Sequence, residues 1–354
     1  MIEKLKKLIK NSEFDAALIV SPENRFYFTG FNSSDGFLLV SDSEAVFITD
    51  SRYIEAAQNT VKDCKVVLQE RDIKQLKNVL DGFGAKSVAV EADRLTVSNL
   101  IRFQKAFEGI EVIADGMLDK GVNSLRGVKD ETEVEKIVAA QRIAEKGFEH
   151  ICNFIKEGKT EKEIQLELDF FMLSHGAAAL SFETIAVSGA NGSMPHGVPT
   201  DKPVKNGELI TLDFGAIYEG YHSDMTRTVA LGEINDKQRE VYDTVLKAQL
   251  NSIASIKAGV TGKDADEAAR SVIRNAGYGE YFGHGTGHGV GVEIHEFPTV
   301  SPANDKPLEA GNIVTVEPGI YLPGEFGVRI EDMVFVTETG CRNLTNCPKE
   351  LIIL

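Results

Sequence analysis

Phe282-Gly283-His284-Gly285-Thr286-Gly287-His288-Gly289-Val290-Gly291-Val292-Glu293-Ile294-His295-Glu296 carries three of the chain's seven histidines and five glycines in fifteen residues. His284 and His288 are four apart, the spacing that puts two imidazoles on one helical face in the HExxH zinc motif. The alternating glycines oppose that arrangement, because each costs a helix about 1 kcal/mol relative to alanine. The stretch therefore reads as extended or looped backbone, in which the two rings stand too far apart to grip one ion side by side. One of them is expected to be a metal ligand and the other a neighbouring or substrate-facing group. Glycines also let other groups approach the backbone closely. A phosphate-binding loop is the competing reading, but no Lys-Ser/Thr follows the glycines and no strand-loop-helix context surrounds them.

Outward from this stretch lie two carboxylate pairs, Asp213/Asp224 upstream and Glu317/Glu331 downstream. Residues 208–217 alternate and are rich in β-branched side chains, which reads as a strand; residues 221–231 read as its partner, with a turn at 218–220. Asp213 and Asp224 are nearly symmetric about that turn, so they are expected near-opposite in an antiparallel pair, about 5 Å apart at Cβ. The downstream segment repeats the device, with strands at 313–317 and 327–336 and Glu317 and Glu331 symmetric about Gly324. Like charges opposed on a sheet destabilise it unless something neutralises them. Four carboxylates and one imidazole suit a pair of divalent cations. Oxygen-rich ligation favours Mn, and the mixed donor set also accommodates Co, Fe or Zn.

The same grammar organises the helices around these hairpins. A helix over 130–156 ends at Gly158, and Thr160 with Glu163 opens another with a capping-box pattern, closed by Gly176. A helix over 236–257 is followed by Gly259, Thr261 and a helix closed by Gly277. One offset of 101 residues relates the two triplets, which predicts an internal duplication of two helix-helix-hairpin halves. Upstream, strands are expected at 16–20, 36–40, 45–48, 87–90 and 110–113, and helices at 2–10, 52–60, 72–82 and 96–107. That is an α/β layer with its own core and no cluster of His, Asp and Glu. The expected domains are 1–122 and 123–354.

The 354 residues suit two domains. With 38 basic against 54 acidic residues the net charge is −16, which disfavours nucleic acid or an anionic membrane as partner. The four cysteines form no CxxC pair and no signal peptide opens the chain, so a reduced, cytoplasmic protein is expected. No apolar run is long enough to span a bilayer.

Assembled, these residues resemble the proline-specific branch of the pita-bread metallopeptidases, which contains Xaa-Pro aminopeptidase and prolidase. The resemblance runs the full length. Tyr27-Phe28-Thr29-Gly30-Phe31 and Thr49-Asp50-Ser51-Arg52-Tyr53 resemble the creatinase-like N-terminal domain. LDFG (212–215), SDMTRT (223–228), GHGTGHGVG (283–291), HE (295–296), VEPGIY (316–321) and VRIED (328–332) resemble the catalytic domain. The resemblance implies an α/β N-terminal domain followed by an α+β pita-bread domain with internal pseudo-twofold duplication. It makes Asp213, Asp224, His288, Glu317 and Glu331 the metal ligands, and His196, His284, His295, Tyr321 and Arg329 the substrate-side or supporting groups. Glu317 is the expected proton relay, and His284 and His295 the expected donors to the developing oxyanion. Arg329 is expected to orient the Glu ligands or bind a substrate carboxylate. The implied activity is hydrolysis of Xaa-Pro bonds in small peptides, with Xaa-Pro aminopeptidase placed first and Xaa-Pro dipeptidase second, in a homodimer. A non-catalytic binding module on the same fold is the remote alternative, since some relatives keep the fold and lose ligands. All five ligands are present here.

Overall fold

Ala16-Ala17-Leu18-Ile19 is buried at every position, and an apolar run without alternation belongs to a strand covered on both faces. In the computed structural model, which describes all residues Met1–Leu354, it forms β1 (Ala16–Ile19) of a six-stranded sheet. With β2 (Phe37–Ser41), β3 (Ala45–Thr49), β4 (Lys65–Leu68), β5 (Ser87–Val90) and β6 (Glu111–Ile113), the order is β4-β3-β2-β1-β5-β6. Helices Ile2–Lys10, Ile54–Thr60, Lys74–Phe83 and Val97–Ala106 accompany it. This is the compact unit Met1–Arg126; the second is Gly127–Leu354.

Three elements of the first unit are absent from the sequence reading. Edge strand β4 is half exposed, so it shows no inside-outside alternation. Helix Pro22–Thr29 has proline in its first turn and stops at Gly30 in the left-handed conformation. Its consecutive Phe26, Tyr27 and Phe28 hide any helical period. Helix Met117–Gly127 runs across residues 122 and 123. No helix in the chain is long and apolar enough to cross a membrane.

In the second unit the capped helices carry the duplication. Asp130 and Glu133 form a capping box for Glu131–Phe154, and Thr160 and Glu163 one for Glu161–Ser174. Asn235 and Gln238 do the same for Asp236–Ser255, and Thr261 caps Gly262–Asn275. Gly158 and Gly259, at φ of 88° and 87°, occupy equivalent left-handed positions, where a side chain would be strained. Thr160 bridges to Pro203 and Thr261 to Pro307, the same contact in each half. This is the pseudo-twofold pita-bread arrangement.

Each half contributes one broken hairpin. Strands β7 (Ala179–Leu180), β8 (Ile185–Ser188), β9 (Glu208–Phe214), β10 (Ala216–Tyr218), β11 (Tyr221–His222) and β12 (Met225–Leu231) form two sheets, β12-β9-β8 and β11-β10-β7. The turn is the two-residue Glu219-Gly220, both at positive φ, not the three-residue 218–220 expected from sequence. Two left-handed residues match the twist of a tight hairpin, and they shift the register by two. Asp213 therefore pairs with Thr226, and Asp224 lies just outside β12. The chain breaks between β9 and β10 at Gly215, where a Cβ would lie 2.0 Å from the Ser223 carbonyl oxygen.

The second half has β13 (Gly287–Gly289), β14 (Glu296–Val300), β15 (Ile313–Val316), β16 (Gly319–Leu322), β17 (Phe326–Arg329), β18 (Asp332–Val336) and β19 (Cys341–Asn343). Val316 pairs with Asp332 and Gly319 with Arg329, a continuous register that sets Glu317 opposite Glu331 as the symmetry about Gly324 predicts. Here too the hairpin breaks into two sheets, at Glu317-Pro318 and Ile330-Glu331, because Pro318 has no N–H for a ladder. All four acids sit at or beside these breaks. The glycine-histidine stretch is extended, as its composition predicts: β13 lies between β14 and β15, and a Cβ on Gly287 would meet the Thr315 carbonyl oxygen at 2.0 Å.

Candidate active site

The strand breaks and β13 bring the expected ligands together in one cavity of about 870 Å³, lined by Asp213, Asp224, His288, Glu317, Arg329 and Glu331 among others. Asp224, His288 and Glu331 each place one donor atom within 4.8 Å of the others. His288 Nε2 lies 3.3 Å from Glu317 Oε1 and 3.6 Å from Asp224 Oδ2. The ring is oriented from behind, with Nδ1 3.0 Å from the Gly289 carbonyl. Thr315 ties strand to strand: its Oγ1 accepts from the His288 N–H at 3.0 Å and donates to Glu317 Oε1 at 3.1 Å.

Electrostatics in the absence of a cation are unfavourable. Burial, then the neighbouring carboxylates of Glu331, Asp213 and Glu317, hold Asp224 well above the usual carboxylate range. Glu331 is raised by burial and by Glu317 and Asp213. For Glu317 burial pushes upward, but the adjacent His288 ring, together with His284 and Arg329, outweighs it and the net shift is downward. Two carboxylate oxygens, Asp213 Oδ1 and Glu331 Oε1, are buried without any hydrogen-bond partner. Buried polar atoms are normally satisfied. Mutually repelling acids, an imidazole and unpartnered oxygens facing one cavity are the donor set that divalent cations satisfy.

Arg329 is committed within the protein. Its Nη2 donates to Asp213 Oδ2 at 2.6 Å, Nη1 to the Tyr321 hydroxyl at 2.8 Å and the Pro195 carbonyl at 3.2 Å, and Nε to Thr226 Oγ1 at 3.1 Å. It thus holds an Asp of the first hairpin directly and reaches Glu331 of its own hairpin only through Thr226. Tyr321, whose hydroxyl burial pushes up to about 12, also meets His284 Nε2 at 2.9 Å. The other nitrogen of His284, Nδ1, lies 2.8 Å from the Gly285 carbonyl. Both nitrogens of His284 are thereby engaged, so the ring supports Tyr321 in this arrangement instead of offering a free donor to the cavity. His295 and His196 line the cavity with exposed rings and no hydrogen-bond partner.

Sequence reasoning missed the threonines. Thr226 donates to Glu331 Oε2 at 2.7 Å, and only its place in SDMTRT, two residues after Asp224, pointed to it. The outer wall, with Lys162, Phe182, Val198, Ile294 and Ser301, comes from scattered loops that leave no local motif.

A broken-hairpin carboxylate-histidine centre on a duplicated fold defines a metallopeptidase. The metallopeptidase family M24 profile matches residues 135–338, and the creatinase/prolidase N-terminal domain profile matches 1–120. The chain is 37% identical to the Xaa-Pro dipeptidase of Pyrococcus furiosus, covering 99% of each. Among solved structures it is similar to an Xaa-Pro dipeptidase from Bacillus anthracis, at 43% identity and TM-score 0.95 over 100% of this chain and 99% of that one. It is also similar to an X-Pro aminopeptidase from Thermotoga maritima, at 41% identity and TM-score 0.93 over the same shares. The chain belongs to metallopeptidase family M24, with a creatinase/prolidase N-terminal domain, and is a metal-dependent hydrolase.

Proposed function

We propose that the protein is an Xaa-Pro dipeptidase, which reverses the order expected from sequence, where the aminopeptidase came first. The observation that carries this reading is full-length identity of 37% and 43% to two proteins named Xaa-Pro dipeptidase. The Thermotoga maritima relative keeps Xaa-Pro aminopeptidase as the second reading. Asp213, Asp224, His288, Glu317 and Glu331 would hold two divalent ions, with Mn first for its oxygen preference. Ions held there would supply a water that is a nucleophile near neutral pH and Lewis-acid polarisation of the scissile carbonyl.

The chain's own residues supply the rest. Glu317 Oε1 is held by Thr315, so Oε2 is the oxygen that takes the proton of the attacking water and passes it to the proline nitrogen. His295, unencumbered beside His288, donates to the oxyanion. Arg329 and Tyr321 keep Asp213 in place, with His284 bonded to Tyr321 from the far side. His196 faces the proline. The catalytic domain in this reading is 123–354 and the creatinase-like domain 1–122, in a cytoplasmic homodimer; four single thiols support a reducing compartment.

Metal-loaded protein offered Xaa-Pro and Xaa-Pro-Yaa side by side tests the assignment. Preference for the dipeptide is expected. Release of Xaa from the tripeptide at an equal or higher kcat/KM overturns it in favour of the aminopeptidase.

A further inference from the structure

Thr226 stands on β12 opposite Asp213 and is fully buried. Its hydroxyl has one hydrogen to give. Arg329 Nε approaches Oγ1 at 3.1 Å, and a guanidinium nitrogen only donates, so that contact occupies a lone pair and leaves the hydrogen unspent. The hydrogen goes to Glu331 Oε2 at 2.7 Å. Glu331 Oε1 is then the unpartnered, buried oxygen. The backbone locks the pair together. The Glu331 N–H donates to the Thr226 carbonyl at 3.1 Å, and Arg227 Nη1 donates to the carbonyls of both residues.

We infer that Thr226 is a positioning residue for the metal centre, whose hydroxyl decides which oxygen of Glu331 is presented to a cation. Arg329 sets the polarity of that hydroxyl from one side and holds Asp213 Oδ2 from the other. A single run of hydrogen bonds, Asp213 to Arg329 to Thr226 to Glu331, thereby fixes one carboxylate of each hairpin with one oxygen occupied and one open. Neither open oxygen has another partner in the protein. Without the hydroxyl, Glu331 is free to turn and Arg329 Nε loses its acceptor. Groups that orient metal ligands typically change metal affinity by about 10–100-fold when removed.

The inference rests on the reading of Glu331 as a ligand, and the test separates the two. Metal affinity is measured by calorimetric titration of Mn into chelator-treated protein for Thr226→Val, Thr226→Ser, Thr228→Val and Glu331→Gln. Thr226→Val should bind about 10–100-fold more weakly, while Thr226→Ser, which keeps the hydroxyl, stays within about threefold of the parent. Thr228 is equally buried and bonds the Arg329 backbone rather than Glu331, so Thr228→Val should leave affinity within about threefold. The visible spectrum of Co-loaded protein should change in Thr226→Val and be restored in Thr226→Ser. Should Thr226→Val not fold, Thr226→Ala loses the same hydrogen without added bulk. Weak binding by Glu331→Gln with parental affinity in Thr226→Val overturns this inference alone. Equal weakening in the Ser and Val variants overturns it too, because the hydroxyl would not be the agent. Parental affinity in Glu331→Gln overturns the ligand reading itself.

Discussion

His295 stands edge to face against His288, with ring centroids 4.3 Å apart and planes at 69°. They are seven positions apart in the chain, and β13 and the following loop fold them into contact. Although the residue is solvent-exposed overall, partial burial of its ring first, and then the neighbouring His288, lower the pKa of His295, which favours the neutral ring with one N–H to donate. The two rings should therefore fail differently. His288→Ala should lower metal occupancy, while His295→Ala should keep the metal and lose about 10²-fold in kcat, the effect of removing one oxyanion donor. Metal analysis beside steady-state kinetics checks this, and equal metal loss in both variants would contradict it.

Removing metal should abolish activity, with Mn or Co restoring it. The metal-free protein should also show its frustration in stability. Asp224 and Glu331 have folded pKa values raised above those of the unfolded chain, so the folded state binds the extra protons. Their contribution to stability is then fully present below the ordinary carboxylate range near 4 and is lost as pH rises through the raised values. Asp224→Asn removes one charge from the cluster, and should raise the melting temperature of metal-free protein at pH 8 while weakening metal binding. A lower melting temperature for that variant would contradict the proposed repulsion.

Tyr321→Phe removes the hydroxyl shared by Arg329 and His284. Arg329 Nη1 keeps the Pro195 carbonyl, so the half-buried His284 Nε2 is the group left without a partner, at a cost of about 1–3 kcal/mol. Denaturant melts should record a loss in that range, and Asp213 should be held less firmly. A melt indistinguishable from the parent would show that water replaces the hydroxyl.

Proline should be preferred over alanine after the scissile bond. A bond to proline nitrogen offers no N–H to recognise, so selection comes from ring burial. Two lost methylenes at about 0.8 kcal/mol each give on the order of tenfold in kcat/KM, and misorientation of the carbonyl adds to it. Matched Xaa-Pro and Xaa-Ala peptides measure the ratio. Equal rates would make this a general peptidase on the same metal site.

Much of this fold was legible because caps and glycines are local signals. Thr160 with Glu163, and the 101-residue offset of Gly158 and Gly259, reported the helix pairs and the duplication directly. Glycine spacing around His288 excluded a helix through its helix cost, and the close approach that glycines also allow is seen where a Cβ on Gly287 would lie 2.0 Å from the Thr315 carbonyl oxygen. The Asp213 register was misread because one left-handed residue, Glu219, shortened the turn, and nothing in a glutamate announces positive φ. Helix Pro22–Thr29 and edge strand β4 lacked periodicity. The roles of Arg329 and His284 depend on partners more than a hundred and about forty residues away, which spacing along one strand cannot supply.

The division of the proposed donor set between two halves would have a kinetic consequence. Asp213 and Asp224 come from the first hairpin, Glu317 and Glu331 from the second and His288 from β13 in the same half, and one continuous chain joins the two halves through helix Asp236–Ser255. An ion caught by one set meets the other as a tethered ligand, at an effective concentration that a covalent link sets in about the millimolar range or above. With the proposed ligands, neither set would have to bind tightly by itself, because an ion released by one would be recaptured by the other. The rate at which a strong chelator strips the protein is then a clock for how often the two halves part.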